Sequence, residues 1–234
     1  MVNNAPATTA RDALYTELAR IGKVVCHPKR IELLELLCQG ERPVEALARA
    51  AGLRLTTAST HLQVLRQARL VETRRQGTRI YYRSAGEEVC RFVGTLGELG
   101  RARLVEVREI LQAAAGEPWD LEPVTRDQLL ARAARGDVVV LDVRPRDEYH
   151  AGHVPGALSV PLDELPERLA ALPPDRTVVA YCRGPYCLLA AEAVSRLRRA
   201  GVRAARLQDG MPEWRQAGLP VAMGPDPGQL ALAG

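Results

Sequence analysis

The sequence predicts a two-domain chain: a mainly-α first domain carrying a β-hairpin, and an α/β second domain whose mostly parallel sheet is covered by helices on both faces. Three observations predict it. At 234 residues the chain is long for one small domain and comfortable for two, each able to bury its own core. Within Gly116-Glu-Pro-Trp-Asp-Leu-Glu-Pro123 an Ala-rich helical segment stops at Gly, and two prolines forbid its continuation. Before that stretch apolar residues recur at helical spacing, and after it β-prone runs alternate with helical ones. The domains are therefore placed at 11–116 and 124–222, with a linker at 117–123 and a loose tail at 223–234 holding Gly and Pro.

In order, the first domain reads as helices at 11–25, 28–38, 43–50 and 56–68, a hairpin at 70–83 and a long helix at 86–115. In the fourth helix Ala58, Leu62 and Leu65 fall at i, i+4 and i+7, one buried stripe at helical spacing. The helix before it ends at Gly52, as the turn of a helix-turn-helix requires. Gln76-Gly77 lies between two β-prone arms and marks the hairpin. The second domain reads as a helix at 126–134, a strand at 137–142, turns at 144–156, a helix at 163–170, a strand at 177–181, a helix at 187–200, a strand at 203–207 and a last helix at 211–216.

The composition is that of an ordinary globular protein, with 47% apolar and 26% charged residues, although Arg greatly outnumbers Lys. No apolar run reaches the roughly 18 residues that span a bilayer, and the first ten residues have no signal-peptide core, so a cytoplasmic protein without a membrane partner is expected. Five cysteines at irregular spacings argue against a disulfide scaffold and for thiols that are buried or reactive. The net charge of +4 is uneven: residues 1–116 carry 18 Lys and Arg against 12 Asp and Glu, and residues 117–234 carry 14 against 16. A basic first half suggests a polyanionic partner.

The stripe in the fourth helix leaves Thr56, Thr60, Gln63 and Gln67 facing outward, with Arg66 and Arg69 near the helix end. Hydroxyls and amides on such a face reach base edges and phosphates in a major groove. The DNA-contact candidates are Thr56, Thr57, Ser59, Thr60, His61, Gln63 and Arg66 on the helix, and Arg74, Arg75 and Arg79 near the hairpin tip, where they suit phosphates or the minor groove. The ordered run from His27-Pro-Lys-Arg-Ile-Glu-Leu-Leu through Thr-His-Leu-Gln-Val-Leu-Arg to Gly-Thr-Arg-Ile-Tyr-Tyr-Arg83 resembles the ArsR family of winged-helix transcription regulators, over roughly residues 12–115. The resemblance implies a winged helix-turn-helix domain and a homodimer, built largely by the first and long fifth helices, reading a pseudo-palindromic double-stranded DNA operator.

Many members of that family sense metals, but the paired cysteines of arsenic and cadmium sensors are missing here. Cys26, Cys38 and Cys90 sit among apolar residues and read as buried small hydrophobes. A Cys38–Cys90 dithiol switch and a Cys26/His27 metal pair are lesser alternatives, and no metal or other cofactor is expected.

In the second domain, Cys182-Arg-Gly-Pro-Tyr-Cys187 joins the apolar strand to a helical run beginning at Leu188. A cysteine there sits in a cup of backbone N–H groups that favours a thiolate and a bound anion. Asp137-Val-Val-Val-Leu-Asp-Val-Arg-Pro-Arg-Asp-Glu-Tyr-His-Ala-Gly-His-Val-Pro-Gly-Ala157, the cysteine loop, and Asp209-Gly-Met-Pro-Glu-Trp-Arg-Gln-Ala-Gly-Leu-Pro-Val221 together resemble the rhodanese family of sulfurtransferases. That resemblance covers about 124–222. It implies a compact α/β domain with a small parallel sheet and marks Cys182 as the nucleophile that carries sulfur as a persulfide.

Around Cys182, Gly184 permits a tight loop, Pro185 stiffens it, and Arg183 either adds positive charge or points to solvent; Tyr186 completes the loop. Asp142 is expected to fix the Arg144 loop, and His150 and His153 to be turn and packing residues. Rhodanese loops of this length commonly close with an Arg that binds an anionic donor, whereas this chain has Cys187, a candidate resolving thiol or the first buried residue of the helix. The sequence thus points to a repressor that responds to a small sulfur donor, a persulfide, polysulfide or thiosulfate, through Cys182. The alternatives are a sulfurtransferase or arsenate-reductase-like thiol enzyme regulated by its own DNA-binding half, and a metal or arsenite sensor using the Cys182/Cys187 pair.

Overall fold

A computed structural model of the chain describes residues 5–115, 123–173, 175–184 and 186–225. The chain divides into two compact units between residues 90 and 91. The first holds α1 (Ala5–Val25), α2 (Pro28–Gln39), β1 (Arg42–Pro43), α3 (Val44–Ala50), α4 (Leu55–Gln67), β2 (Val71–Gln76), β3 (Arg79–Ser84) and the start of α5 (Glu87–Arg103). α2 begins where His27 Nδ1 accepts the Lys29 N–H at 3.1 Å and Pro28 occupies the first turn, whose amide needs no partner. Its Leu33, Leu34 and Leu37 meet Leu47 of α3 and the Ala58, Leu62 and Leu65 stripe of α4 as buried side chains. Each leucine so buried contributes about 1.5–3 kcal/mol.

The turn between α3 and α4 closes by backbone geometry. Gly52 takes φ 62°, its N–H reaches Arg49 O, and the Leu53 N–H reaches Ala48 O, so the last carbonyls of α3 are satisfied. The same closure ends α4 with Arg69 in place of glycine, at φ 60°. β2 and β3 form an antiparallel hairpin with β1 on the outer edge of β3. The pairing of Gln76 with Arg79 makes Gly77-Thr78 the two-residue turn, one position later than the predicted Gln76-Gly77, because φ 61° is needed at its first position.

The second unit continues α5 and adds α6 (Val105–Ala115), α7 (Arg126–Ala134), β4 (Val138–Asp142), α8 (Arg146–Ala151), β5 (Leu158–Ser159), α9 (Leu165–Arg168) with a 3₁₀ turn at Leu169–Ala171, β6 (Thr177–Tyr181), α10 (Leu188–Arg199), β7 (Ala204–Arg206) and α11 (Met211–Gln216). Its four strands run in the order β5-β4-β6-β7 with every pair parallel. Alternation along β6 divides the core. Val178 and Ala180 pack with Ala190, Ala193 and Leu197 of α10, while Val179 and Tyr181 pack with Tyr149, Met211 and Trp214. The loop that follows β6 therefore leaves the middle of the sheet at the carboxyl ends of the strands, where α/β sheets place their sites.

Three predicted elements differ. The helix expected over 86–115 is two helices, because the Arg108 guanidinium takes the Arg101 carbonyl at 3.2 Å, the acceptor that Val105 would use in a continuing helix. The turns expected at 144–156 contain α8, started by the Pro145 carbonyl accepting the Glu148 and Tyr149 amides. The helix expected at 163–170 is a short α-helix tightening into a 3₁₀ turn. The linker at 117–123 lies outside the described residues except for Pro123, as do Pro185 and the tail beyond residue 225.

Two cysteine expectations are also corrected. Cys38 and Cys90 are joined as a disulfide with Cα atoms 5.5 Å apart, and Cys26 is exposed. The bond joins the pair that the sequence offers only as a lesser alternative, and it spans 52 residues because α2 and the first turn of α5 pack together.

Candidate functional site

Of the α4 candidates, Thr56, Thr57, Thr60 and Arg66 are exposed, and Ser59, His61 and Gln63 are half-buried. Thr60 donates back to the Thr56 carbonyl, and the Gln63 amide donates to the Tyr82 hydroxyl at 3.1 Å, which fixes the angle between α4 and the hairpin. His61 is a packing residue as much as a surface one: its ring centroid lies 4.4 Å from that of His27. Burial, then the neighbouring His27 and Arg30, lower its pKa, so α4 presents a neutral imidazole at pH 7. At the hairpin, Arg75 and Arg79 are exposed, whereas Arg74 is held by Glu41, with Nη2 to Oε1 at 2.5 Å, and lies over the Tyr81 ring. Of the three candidate arginines of the hairpin, Arg74 would have to exchange a carboxylate for a phosphate. Glu41 gave no sign of this in the sequence, since the pair is 33 residues apart.

The cysteine loop is built on a buried electrostatic lock. At the end of β4, Asp142 accepts the Arg144 backbone amide and its guanidinium, at 3.0 Å from N, 3.0 Å from Nε and 2.6 Å from Nη2. The Tyr181 hydroxyl, at the end of β6, donates to Asp142 at 2.6 Å and accepts the Val154 amide; Arg144 also donates to the Gly152 carbonyl. Burial pulls the Arg144 pKa down, but the Asp142 charge and hydrogen bonds outweigh it and hold the guanidinium charged. Burial, then Asp142, push the Tyr181 hydroxyl well up, so it stays a donor. As predicted, Asp142 fixes the Arg144 loop and His153 packs, stacked on Tyr149 with centroids 3.6 Å apart. His150 is exposed on α8.

Within the loop, Arg183 grips Glu148 through Nε and Nη2 at 2.7–3.0 Å. Glu148 is fully buried and was missed by sequence reasoning, because an acidic residue in a short helix ordinarily faces water. The Cys187 amide donates to Gly184 O, and the Met211 amide donates to Cys182 O. Behind the loop, Gly210 lies so close that a Cβ there would fall 2.3 Å from Gly184 N. A cleft of about 570 Å³ opens beside the loop, lined in part by Arg146, Glu164, Arg183, Leu189 and Arg196.

Cys182 departs from the expected accessible thiolate. It is 2% exposed, with Sγ 3.5 Å from Cys187 O and 3.8 Å from Gly184 O. Burial first, then the Cys187 thiol, push its pKa well up; the Ala190 and Gly184 amides pull it the other way without prevailing. Cys187 is buried beside it, in the core that α10 shares with the sheet. Two adjacent thiols thus lie under the loop, and burial favours the neutral form of Cys182. Among the described residues no group of three His, Cys, Asp or Glu side chains is arranged to hold a metal ion, and no helix is long and apolar enough to cross a membrane.

Comparison with known proteins agrees with both halves. Residues 27–73 match the family model described as bacterial regulatory protein, arsR family, and residues 125–217 match the rhodanese-like domain. The chain is 50% identical over 212 residues to the HTH-type transcriptional regulator Rv0324 of Mycobacterium tuberculosis, covering 91% of this chain and 93% of that protein. It is 35% identical over 86 residues to a sulfurtransferase of Allochromatium vinosum, covering 36% of this chain and 78% of the relative. Among solved structures, the homodimeric winged helix-turn-helix DNA-binding domain Mb0332 of Mycobacterium bovis is 47% identical, covers 41% of this chain and 89% of its own, and superposes with a TM-score of 0.39. With a regulator of that identity aligned along nearly its whole length, this chain belongs to the ArsR family of helix-turn-helix transcriptional regulators and carries a C-terminal rhodanese-like domain.

Proposed function

We propose that this regulator is a homodimeric repressor that binds an operator through α4 and the hairpin and changes its operator affinity when Cys182 takes up sulfane sulfur. The observation that carries the reading is the pair of neighbouring buried thiols, Cys182 and Cys187, where a sulfurtransferase loop would place a cation for an anionic donor. Such a loop suits holding a modified state rather than rapid turnover. The loading step is an exchange: Cys182 as thiolate attacks the outer sulfur of a hydropersulfide R–S–SH, that S–S bond breaks, the donor leaves as a thiolate that takes up the proton Cys182 gave up, and Cys182–S–SH forms. Cys187 can then attack the inner sulfur, forming a Cys182–Cys187 disulfide and releasing hydrogen sulfide. The dimer is supported by α1, where Leu14, Leu18 and Ile21 fall at i, i+4 and i+7 and are 57%, 53% and 37% exposed.

An operator titration with and without polysulfide, paired with intact-mass analysis of wild type, Cys182→Ser and Cys187→Ser, tests the reading. Loading should add the mass of sulfur at Cys182 in Cys187→Ser, register in wild type as that mass or as the two-hydrogen loss of the Cys182–Cys187 disulfide, and shift operator affinity by roughly 5- to 150-fold, the usual span of coupling between two sites. No sulfur mass at Cys182 in Cys187→Ser, or modification of wild type with unchanged affinity, overturns it. The likeness to a sulfurtransferase favours a second reading, sulfur transfer as the primary activity. Thiosulfate-dependent turnover that disappears in Cys182→Ser would establish that reading instead.

A further inference from the structure

The structure assigns to Tyr186 a role as the output of the cysteine loop: we infer that its ring, seated on Gly97 of α5, transmits the sulfur state of Cys182 to that helix. This inference rests on the proposed function above and adds the element that carries the signal. α5 has three glycines, Gly94, Gly97 and Gly100, in a helix where each costs about 1 kcal/mol relative to alanine. The reason at Gly97 is a close approach. A Cβ there would fall 2.4 Å from Tyr186 Cδ2 and 2.5 Å from Cε2, so only glycine admits the ring in this position. The ring also packs against the cluster of Leu111 of α6 and Ala191 of α10, a wedge among three helices. Burial, then the Glu98 carboxylate, raise the pKa of its hydroxyl, which agrees with an enclosed side chain.

The loop's other described contacts tie it in place. Its outer side is tied by Arg183 to Glu148, and its base by the Met211 amide to Cys182 O. Its back is closed by Gly210, which Glu213 holds by accepting the Gly210 amide at 2.9 Å. A persulfide places a second sulfur about 2 Å beyond Sγ. Close-packed interiors accept such an addition by shifting side chains and backbone rather than by filling voids. Cys182 is buried with Cys187 and Ala190 in one cluster, and Tyr186 immediately precedes Cys187. Displacing Cys187 moves Tyr186, and moving Tyr186 vacates the seat on Gly97.

The test is Gly97→Ala in the full chain, read by intact mass and operator titration together. Loading of Cys182 should equal wild type, since Gly97 approaches the Tyr186 ring rather than either thiol. Operator affinity without polysulfide should fall roughly tenfold as the methyl unseats the ring, and the further change on loading should shrink below about twofold. In a Tyr186→Ala background the same Gly97→Ala change should then alter affinity by less than about twofold, because the ring it displaces is gone. If Gly97→Ala proves too unstable to titrate, Tyr186→Ala alone, compared at equal Cys182 loading, should abolish the response. A variant that responds as wild type does at equal loading overturns the inference and leaves the proposed function standing. A wild type that loads without responding overturns the proposed function itself.

Discussion

Arg144 and Asp142 form a completely buried ion pair, 2.6 Å between Nη2 and Oδ2, at the point where the carboxyl ends of β4 and β6 meet the Gly152–Val154 turn. Removing one charge strands the other. Asp142→Ala should destabilise the second unit by about 3–5 kcal/mol, the range for breaking a buried pair, because the buried guanidinium loses its carboxylate and the Tyr181 hydroxyl loses the oxygen it donates to. Denaturant unfolding followed by Trp214 fluorescence measures this, and a loss below about 1 kcal/mol would contradict the account.

Arg69 occupies the left-handed position that closes α4, where glycine is usual. A side chain there costs about 1–2 kcal/mol, so Arg69→Gly should raise the thermal stability of the first unit. The arginine earns its place only if its charge serves the operator. The same substitution should therefore weaken DNA binding and lower the salt dependence by about one phosphate contact. Higher stability with unchanged operator affinity would show that Arg69 stays clear of DNA.

Much of this was legible in the sequence because it is local. The Ala58, Leu62 and Leu65 stripe, the Gly52 turn and α11 at 211–216 were readable from spacing and punctuation, and the structure places them as predicted. What escaped was tertiary. The sequence offers Cys38 with Cys90 only as a lesser alternative, nothing near Arg183 announces Glu148, and the break at Leu104 depends on Arg108 reaching back to a carbonyl seven residues away. The upward shift of the Cys182 pKa escaped for the same reason. Its position after a strand promises stabilising amides, but the burial that outweighs them comes from packing against α10.

The Cys38–Cys90 bond closes a separation of 52 residues, which in the chain-entropy account stabilises the first unit by about 4 kcal/mol. Thermal melts with and without a phosphine reductant should show the first unit losing most of that amount, and Cys38→Ser with Cys90→Ser should reproduce the reduced curve. Superimposable melts would show that α2 and α5 hold together without the bridge.

The hairpin arginines should not be equivalent on DNA. Arg79 is exposed, so Arg79→Ala should reduce affinity and flatten the logarithmic salt dependence by about 0.9 if it meets a phosphate. Arg74 must first leave Glu41, which lessens what it contributes. Glu41→Gln should accordingly tighten operator binding, and that gain should vanish in an Arg74→Ala background. Equal effects of Glu41→Gln in both backgrounds would show that Arg74 keeps its carboxylate when DNA is bound.

On the proposed reading, Cys182 sets the pH dependence of sulfur uptake. Burial and the Cys187 thiol raise its pKa, so at neutral pH it should present less thiolate than an ordinary free thiol, and its reaction with a hydropersulfide or a small alkylating agent should be correspondingly slow. The rate at Cys182, followed by mass mapping of its peptide, should keep climbing with pH above about 8.5, where a small thiol begins to level off. The linkage to stability has the opposite sense. The unfolded chain ionises first, so the stability associated with the neutral buried thiol is complete below about 8.5 and is lost as pH rises through the folded value. Cys182→Ser should remove that alkaline loss. A Cys182 rate that levels off near neutral pH would show that the loop opens to expose a thiolate before it reacts.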